Sequence, residues 1–199
     1  MKIVFATKNE GKVKEITEML AGMNIELVSL NHFESLPEIV EDGVTYLENA
    51  LKKAKIISEF TGETVLADDS GLQVDVLGRE PGIYSARYAG EGATDEENNI
   101  KLLGKLKDVP EGKRTASFFC ALVLYYQDGH YHAFEGRWQG RIIDERRGAN
   151  GFGYDPIFLS PDLNKTAAEL PPEIKNKISH RGQAFAKLKS HLSKDMKSK

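Results

Sequence analysis

KIVFATKNEGKVKEITEMLAGMNIELVSL, residues 2–30, decides the fold class. Lys2 to Ala6 is a short apolar run that breaks into polar residues, which predicts a buried strand. Val13, Ile16, Met19 and Leu20 then recur at helical spacing, and Gly22 stands where a helix C-terminus favours positive φ. Ile25 to Leu30 reads as a second strand. Strand, helix and strand at this spacing predict a right-handed βαβ unit.

The chain continues in the same alternation. Thr45-x-x-Glu48 is a capping box that opens a helix with Leu47, Ala50, Leu51, Ala54 and Ile57 on its apolar face, ended by Gly62. Thr64 to Ala67 reads as a strand that runs out into a turn, Asp68-Asp69-Ser70-Gly71. Thr94-x-x-Glu97 opens another helix, with Ile100, Leu103 and Leu106 expected inward. Arg114 to Gln127 is a long β run joined to His130–Gly140 through Asp128-Gly129, a hairpin turn signal. Gly148 to Asp155 is a glycine-rich loop. A last helix is expected from near Gly182, burying Phe185, Leu188 and Leu192, with a Lys/Ser-rich tail fraying after Ser190. The pattern predicts an α/β fold: a mixed twisted sheet with flanking helices, two lobes around a central substrate cleft, and one domain over residues 1–199.

Bulk properties exclude several function classes. The net charge of −3 lacks the basic footprint of a nucleic-acid binder. It also means that a phosphate ligand needs a locally built site. Cys120 is the only cysteine, so no internal disulfide and no CxxC metal knuckle can form. The apolar run Ile3–Ala6 is too short for a signal peptide or membrane span, and a cytoplasmic protein is expected.

Four segments carry groups suited to chemistry. Thr7-Lys8-Asn9-Glu10-Gly11-Lys12 lies between the first strand and helix, where free N–H groups and the helix dipole suit phosphate. It is not a Walker A loop: Ala6 stands where a glycine belongs and Val13 where a Ser/Thr would hold metal. An ordinary capped βα turn would look similar. Asp68 and Asp69 repel each other unless a cation lies nearby, and Mg²⁺ favours such oxygen ligands. A solvated acidic turn is the alternative. Glu41 and Asp42 offer a further oxygen ligand or are simple loop charges. In Gly151-Phe152-Gly153-Tyr154-Asp155-Pro156, an aromatic ring framed by glycines can stack on a flat base, and Asp155 can accept a ring N–H; a tight turn anchored by Phe packing fits too. Lys175, Ser179, His180 and Arg181 place donors that match a carbonyl edge, or form a solvated basic patch.

ATKNEGKVKE (6–15), TYLENALKKA (45–54), ADDSGLQVDVLGREPGIYSARY (67–88), NGFGYDPIF (150–158), KTAAEL (165–170) and ISHRGQA (178–184), in this order, resemble the inosine triphosphate pyrophosphatase family, closest to its bacterial branch. The resemblance implies hydrolysis of non-standard purine nucleoside triphosphates (ITP, dITP, XTP) to the monophosphate and pyrophosphate, with Mg²⁺ as cofactor and a homodimer as the working form. By the same resemblance Thr7, Lys8, Asn9, Glu10, Gly11 and Lys12 bind the triphosphate, helped by Lys53. Asp69 is the general base and a metal ligand, with Asp68 and Glu41 as supporting carboxylates. Ser70 touches substrate; Phe152, Gly153, Tyr154 and Asp155 hold the base with Lys175, His180 and Arg181. Donors from Arg181 would satisfy the 6-keto oxygen and be left unpaired by the amino group of adenine. A pyrophosphatase for modified pyrimidines and a nucleotide-sensing module without turnover are the rival readings; the FGYD and SHR segments weigh against the first, the paired acids against the second.

Overall fold

The computed structural model describes residues 1–195. Among them the strands and α-helices are β1 (Lys2–Phe5), α1 (Glu10–Leu20), β2 (Glu26–Ser29), α2 (Tyr46–Thr61), β3 (Val65–Val74), α3 (Asp95–Leu106), β4 (Thr115–Tyr125), β5 (Tyr131–Ile142), β6 (Phe158–Ser160), β7 (Lys165–Thr166), α4 (Pro172–Ile178) and α5 (His180–Asp195). The sheet order is β2-β1-β3-β4-β5-β6-β7. β1 runs parallel to β2, with Lys2 opposite Glu26, and parallel to β3, with Val4 opposite Val65. β6 runs antiparallel to both β5 and β7. The mixed α/β architecture matches the expectation from the sequence. No helix among the described residues is long and apolar enough to cross a membrane.

The chain divides into two compact units. Unit 1 holds Met1–Asp69, Cys120–Gly136 and the chain from Arg181; unit 2 holds Ser70–Phe119 and Arg137–His180. In unit 1 the period-2 alternation of the strands separates two apolar layers. Ile3, Phe5, Leu66, Cys120 and Leu122 pack with Ile16 and Leu20 of α1 and with Phe185, Leu188 and Leu192 of α5. Val4, Ala6, Val65, Ala67 and Val123 pack with Ala50, Ala54 and Ile57 of α2. Cys120 is buried core, its thiol pushed up to about 12 by that burial. Unit 2 has its own core, in which Leu102 and Leu106 of α3 meet Phe118, Trp138, Tyr154 and Phe158.

Several local expectations need correction. The acidic pair does not sit in a turn: β3 runs through Asp68, Asp69, Ser70 and Gly71 to Val74. Asp, Ser and Gly are weak strand formers, but the place of β3 inside the sheet overrides that preference. On α3, Ile100 is 57 % exposed, while Asn98, Asn99, Leu102 and Leu106 face inward. Two buried asparagines shift the inward face away from the one that the apolar residues alone suggest. The Thr94–Glu97 capping box forms fully. At α2, Thr45 accepts from Glu48 N–H, but the Glu48 carboxylate reaches back to Val44 N–H, one residue beyond the cap. α5 starts at His180 and continues to Asp195, with Leu192 buried, so the fraying expected after Ser190 does not occur up to that point. The rest of that tail lies outside the described residues.

Candidate active site

In unit 1 the site is built around the end of β1, the start of α1, one face of α2 and the middle of β3. Asn9 is the N-cap of α1; its Oδ1 accepts from Lys12 N–H at 3.0 Å. Thr7 Oγ1 accepts from Asn9 N–H at 3.1 Å. Both side-chain oxygens therefore serve to shape the loop, and neither of these bonds uses the donor hydrogens of the Thr7 hydroxyl or the Asn9 amide. Glu10 occupies the first turn, where the dipole favours an acid, and accepts from Asn31. A cavity of about 370 Å³ lies beside this loop, lined on its polar side by Thr7, Lys8, Glu41 and Lys53 and on its apolar side by Leu30, Leu36 and Ile39.

The pleat of β3 sends Asp68 and Asp69 to opposite faces. Asp68 is fully buried. Lys12 Nζ lies 2.9 Å from its Oδ2, and Arg181 Nε lies 3.6 Å from the same oxygen. Burial opposes the charge of Asp68, yet Lys12, then Arg181 and Lys53, hold its carboxyl well below the usual carboxylate range. Arg181 also pairs with Glu15 of α1. The structure thus places the Arg181 guanidinium among the carboxylates of unit 1.

Asp69 is set differently. Burial pushes its carboxyl up to about 6, against the pull of Lys53 and of the Asn49 hydrogen bond, while Glu41 adds to the push. Asn49 Nδ2 donates to Asp69 Oδ2 at 3.0 Å. Lys53, one helical turn further along α2, donates to the Asp68 carbonyl oxygen at 3.1 Å and pairs with Glu41. Burial works against the charge of Lys53, but Glu41, Asp68 and Asp69 raise its pKa, so it is a firm cation. Glu41, Lys53, Asp68, Asp69 and Lys12, all expected from the sequence, are linked in one network of unit 1. Asn49 was not legible as a site residue, although its position four before Lys53 puts the two on one face of α2. Among the described residues no three His, Cys, Asp or Glu gather as a metal-holding group.

In unit 2 the glycine-framed loop is a rigid frame. Gly151 and Gly153 have φ of 77° and 63°, which side chains rarely adopt. At Gly151 a Cβ would lie 2.0 Å from Asp155 Oδ2. Asp155 Oδ2 accepts from Phe152 N–H at 3.0 Å and from Lys175 Nζ at 2.7 Å, both side chains of that ion pair being buried. The Lys175 ammonium stands 5.2 Å from the centre of the half-buried Phe152 ring. Gly153 is held from both sides by α3: its N–H donates to Asp95 and its C=O accepts from Asn99 at 2.9 Å. Tyr154 belongs to the core, its hydroxyl donating to Ser85 C=O at 2.9 Å, so it anchors the loop while Phe152 offers the ring face. His180 is buried and stacked on Phe118 with ring centres 4.8 Å apart. Ser70 is half-buried on β3.

The family model described as the Ham1 family matches residues 3–191. A protein of Geobacter sulfurreducens named dITP/XTP pyrophosphatase is 51 % identical over 191 residues, 96 % of each chain. A protein of the same name from Desulforamulus reducens is 49 % identical, over 98 % of this chain and 96 % of that one. A solved structure described as a HAM1 protein from Coxiella burnetii superimposes with a TM-score of 0.88 at 43 % identity, covering 98 % of this chain and 99 % of that one. These likenesses bear out the resemblance read from the ordered motifs. With a matching model over nearly its whole length and full-length relatives near half identity, the chain belongs to the Ham1 family.

Proposed function

We propose that this chain hydrolyses non-standard purine nucleoside triphosphates (ITP, dITP and XTP) to the monophosphate and pyrophosphate, cleansing the nucleotide pool, as a cytoplasmic homodimer. The observation that carries the reading is Asp69, a buried carboxylate raised to about 6, beside the buried cation Lys53. A base that takes a proton from water works best with a pKa near the operating pH. The names carried by the full-length relatives support the substrate class.

Mg²⁺ is the proposed cofactor, and the donor set fits it. Glu41 and Asp69 offer hard oxygens only, and a buried carboxylate with a raised pKa is one whose charge a divalent cation would offset. Mg²⁺ commonly takes one or two carboxylates and completes its shell with water and substrate phosphates, so no all-protein cage is needed. Glu41 and Asp69 would hold it, with the charge of Asp68 in support. When bound, the ion would neutralise the triphosphate and stabilise charge on the departing pyrophosphate.

The residues divide the remaining work. The N-terminus of α1, with Thr7, Asn9 and Lys12, and Lys53 of α2 hold phosphate oxygens. Asp69 takes a proton from a water that attacks the α-phosphorus in line, and pyrophosphate leaves. Ser70 adds a substrate contact next along the strand. In unit 2 Phe152 stacks on the base, and the Asp155–Lys175 pair and His180 supply its polar contacts. A donor facing the 6-keto oxygen would be left unpaired by adenine, at about 1–3 kcal/mol each. Arg181 is committed to Glu15 and Asp68, which supports its ordering the carboxylates and leaves the base edge to His180 and backbone N–H groups.

The test is a substrate panel. Purified protein is incubated with ITP, XTP, dITP, GTP and ATP, with and without Mg²⁺, and pyrophosphate and phosphate are assayed separately. Mg²⁺-dependent pyrophosphate release from ITP, dITP and XTP, and little from ATP and GTP, is the expected result. Binding without turnover would revive the sensing module, and preference for a modified pyrimidine would replace the base assignment.

A further inference from the structure

A carboxamide has a donor end and an acceptor end, so one asparagine can join two groups without adding charge. Asn49, 1 % exposed, uses both ends. Its Nδ2 donates to Asp69 Oδ2 at 3.0 Å, and its Oδ1 accepts from Gly43 N–H at 2.8 Å. The two bonds together fix which way the amide points. Gly43 lies two residues after Glu41. Lys53, on the next turn of α2, joins the same two segments a second time, through Glu41 and the Asp68 carbonyl. The fit is close: a Cβ on Gly43 would stand 2.6 Å from Asn49 Oδ1 and 2.9 Å from Glu48 Cβ.

We infer that Asn49 is a positioning residue for the proposed hydrolysis: it sets the rotation of the Asp69 carboxylate and ties it to the backbone of the segment that carries Glu41. A carboxylate with two soft torsions samples many orientations, and a misplacement of about 1 Å at a reacting group can cost roughly 10²-fold in rate. The bond from Asn49 removes that freedom before substrate arrives. The absence of a side chain at Gly43 is part of the same device, because a Cβ there would collide with the amide oxygen that the Gly43 N–H holds. The inference rests on the reading of Asp69 as the base.

The experiment compares wild type with Asn49→Asp, Asn49→Ala and Gly43→Ala, and runs Asp69→Asn beside them. Melting of the metal-free proteins is read first, then kcat and KM with ITP and Mg²⁺. Asn49→Asp keeps the size and the acceptor for Gly43 N–H but removes the donor to Asp69. Expected are losses in kcat of roughly 10–100-fold for both Asn49 variants and about tenfold for Gly43→Ala, with KM within about threefold throughout. A purely structural asparagine would give the opposite split: Asn49→Asp keeping wild-type kcat while Asn49→Ala loses it. That result overturns the inference, as does a raised KM at unchanged kcat. If Asn49→Asp does not fold, the kcat-against-KM split in Asn49→Ala and Gly43→Ala decides. A nearly full rate in Asp69→Asn would remove the base assignment and this inference together. An inactive Asp69→Asn beside fully active Asn49 variants would remove the inference alone.

Discussion

Asp68 and Asp69 are joined by one peptide bond, and the two faces of β3 treat them in opposite ways. On the face shared with α1 and α5, Lys12 and Arg181 surround Asp68 and hold it ionised despite complete burial. On the face shared with α2, Asp69 meets Asn49 and Lys53, but Lys53 is divided between Glu41 and the Asp68 carbonyl, and burial lifts the carboxyl to about 6. The first acid is over-compensated and structural in character. The second is under-compensated, which is a cost to folding and a use to chemistry. Strand alternation is what lets two neighbouring carboxylates have such different surroundings.

Substitutions on each face test that contrast. Asp69→Asn is expected to lower kcat roughly 10²–10⁴-fold, as loss of a general base does, while making the protein more stable at pH 7. The sign follows from linkage: a carboxyl raised in the folded state binds its proton more tightly there, so folding loses stability as pH rises from the ordinary carboxylate range through about 6. Chemical denaturation at pH 7 and steady-state kinetics on one preparation check both halves. Asp68→Asn is expected to do the reverse, lowering stability by about 3–5 kcal/mol because it leaves Lys12 and Arg181 under-compensated in a buried site. The contribution of Asp68 is present above the ordinary carboxylate pKa and is lost as pH falls toward its depressed folded value, so the gap between wild type and Asp68→Asn should narrow in acid. Urea titrations at pH 7 and at about pH 2.5, inside the window between the ordinary carboxylate pKa and the depressed folded value, read this directly. The smallest expected effect is in the pH profile: kcat/KM should fall about tenfold per pH unit below about 6, the limb moving to lower pH as Mg²⁺ rises. A limb indifferent to Mg²⁺ would separate Asp69 from the metal.

Much of this was legible in the residues because the local signals agreed with the final packing. The 2–30 segment has a short continuous apolar run and then an apolar period of 3.6, and β1, α1 and β2 form there. The Asp128-Gly129 turn gives the hairpin, with Tyr126 N–H bonded to His130 C=O at 2.9 Å. Legibility failed where polar residues are buried. Asn98 and Asn99 look like a solvent face but turn inward, which misassigned Ile100. Asp68 to Gly71 look like a turn, yet they continue β3 within the sheet. Asn49 looks like a helix surface residue until its two bonds are seen. Hydrophobic periodicity carries no information about a polar group whose partner is distant in sequence, and the candidate site consists largely of such groups.

The most direct test of the central claim is to hydrolyse ITP with Mg²⁺ in H₂¹⁸O and weigh the products by mass spectrometry. Attack on the α-phosphorus by water prepared at Asp69 places one ¹⁸O in the monophosphate and none in the pyrophosphate. Label in the pyrophosphate, or release of inorganic phosphate in its place, would contradict the account.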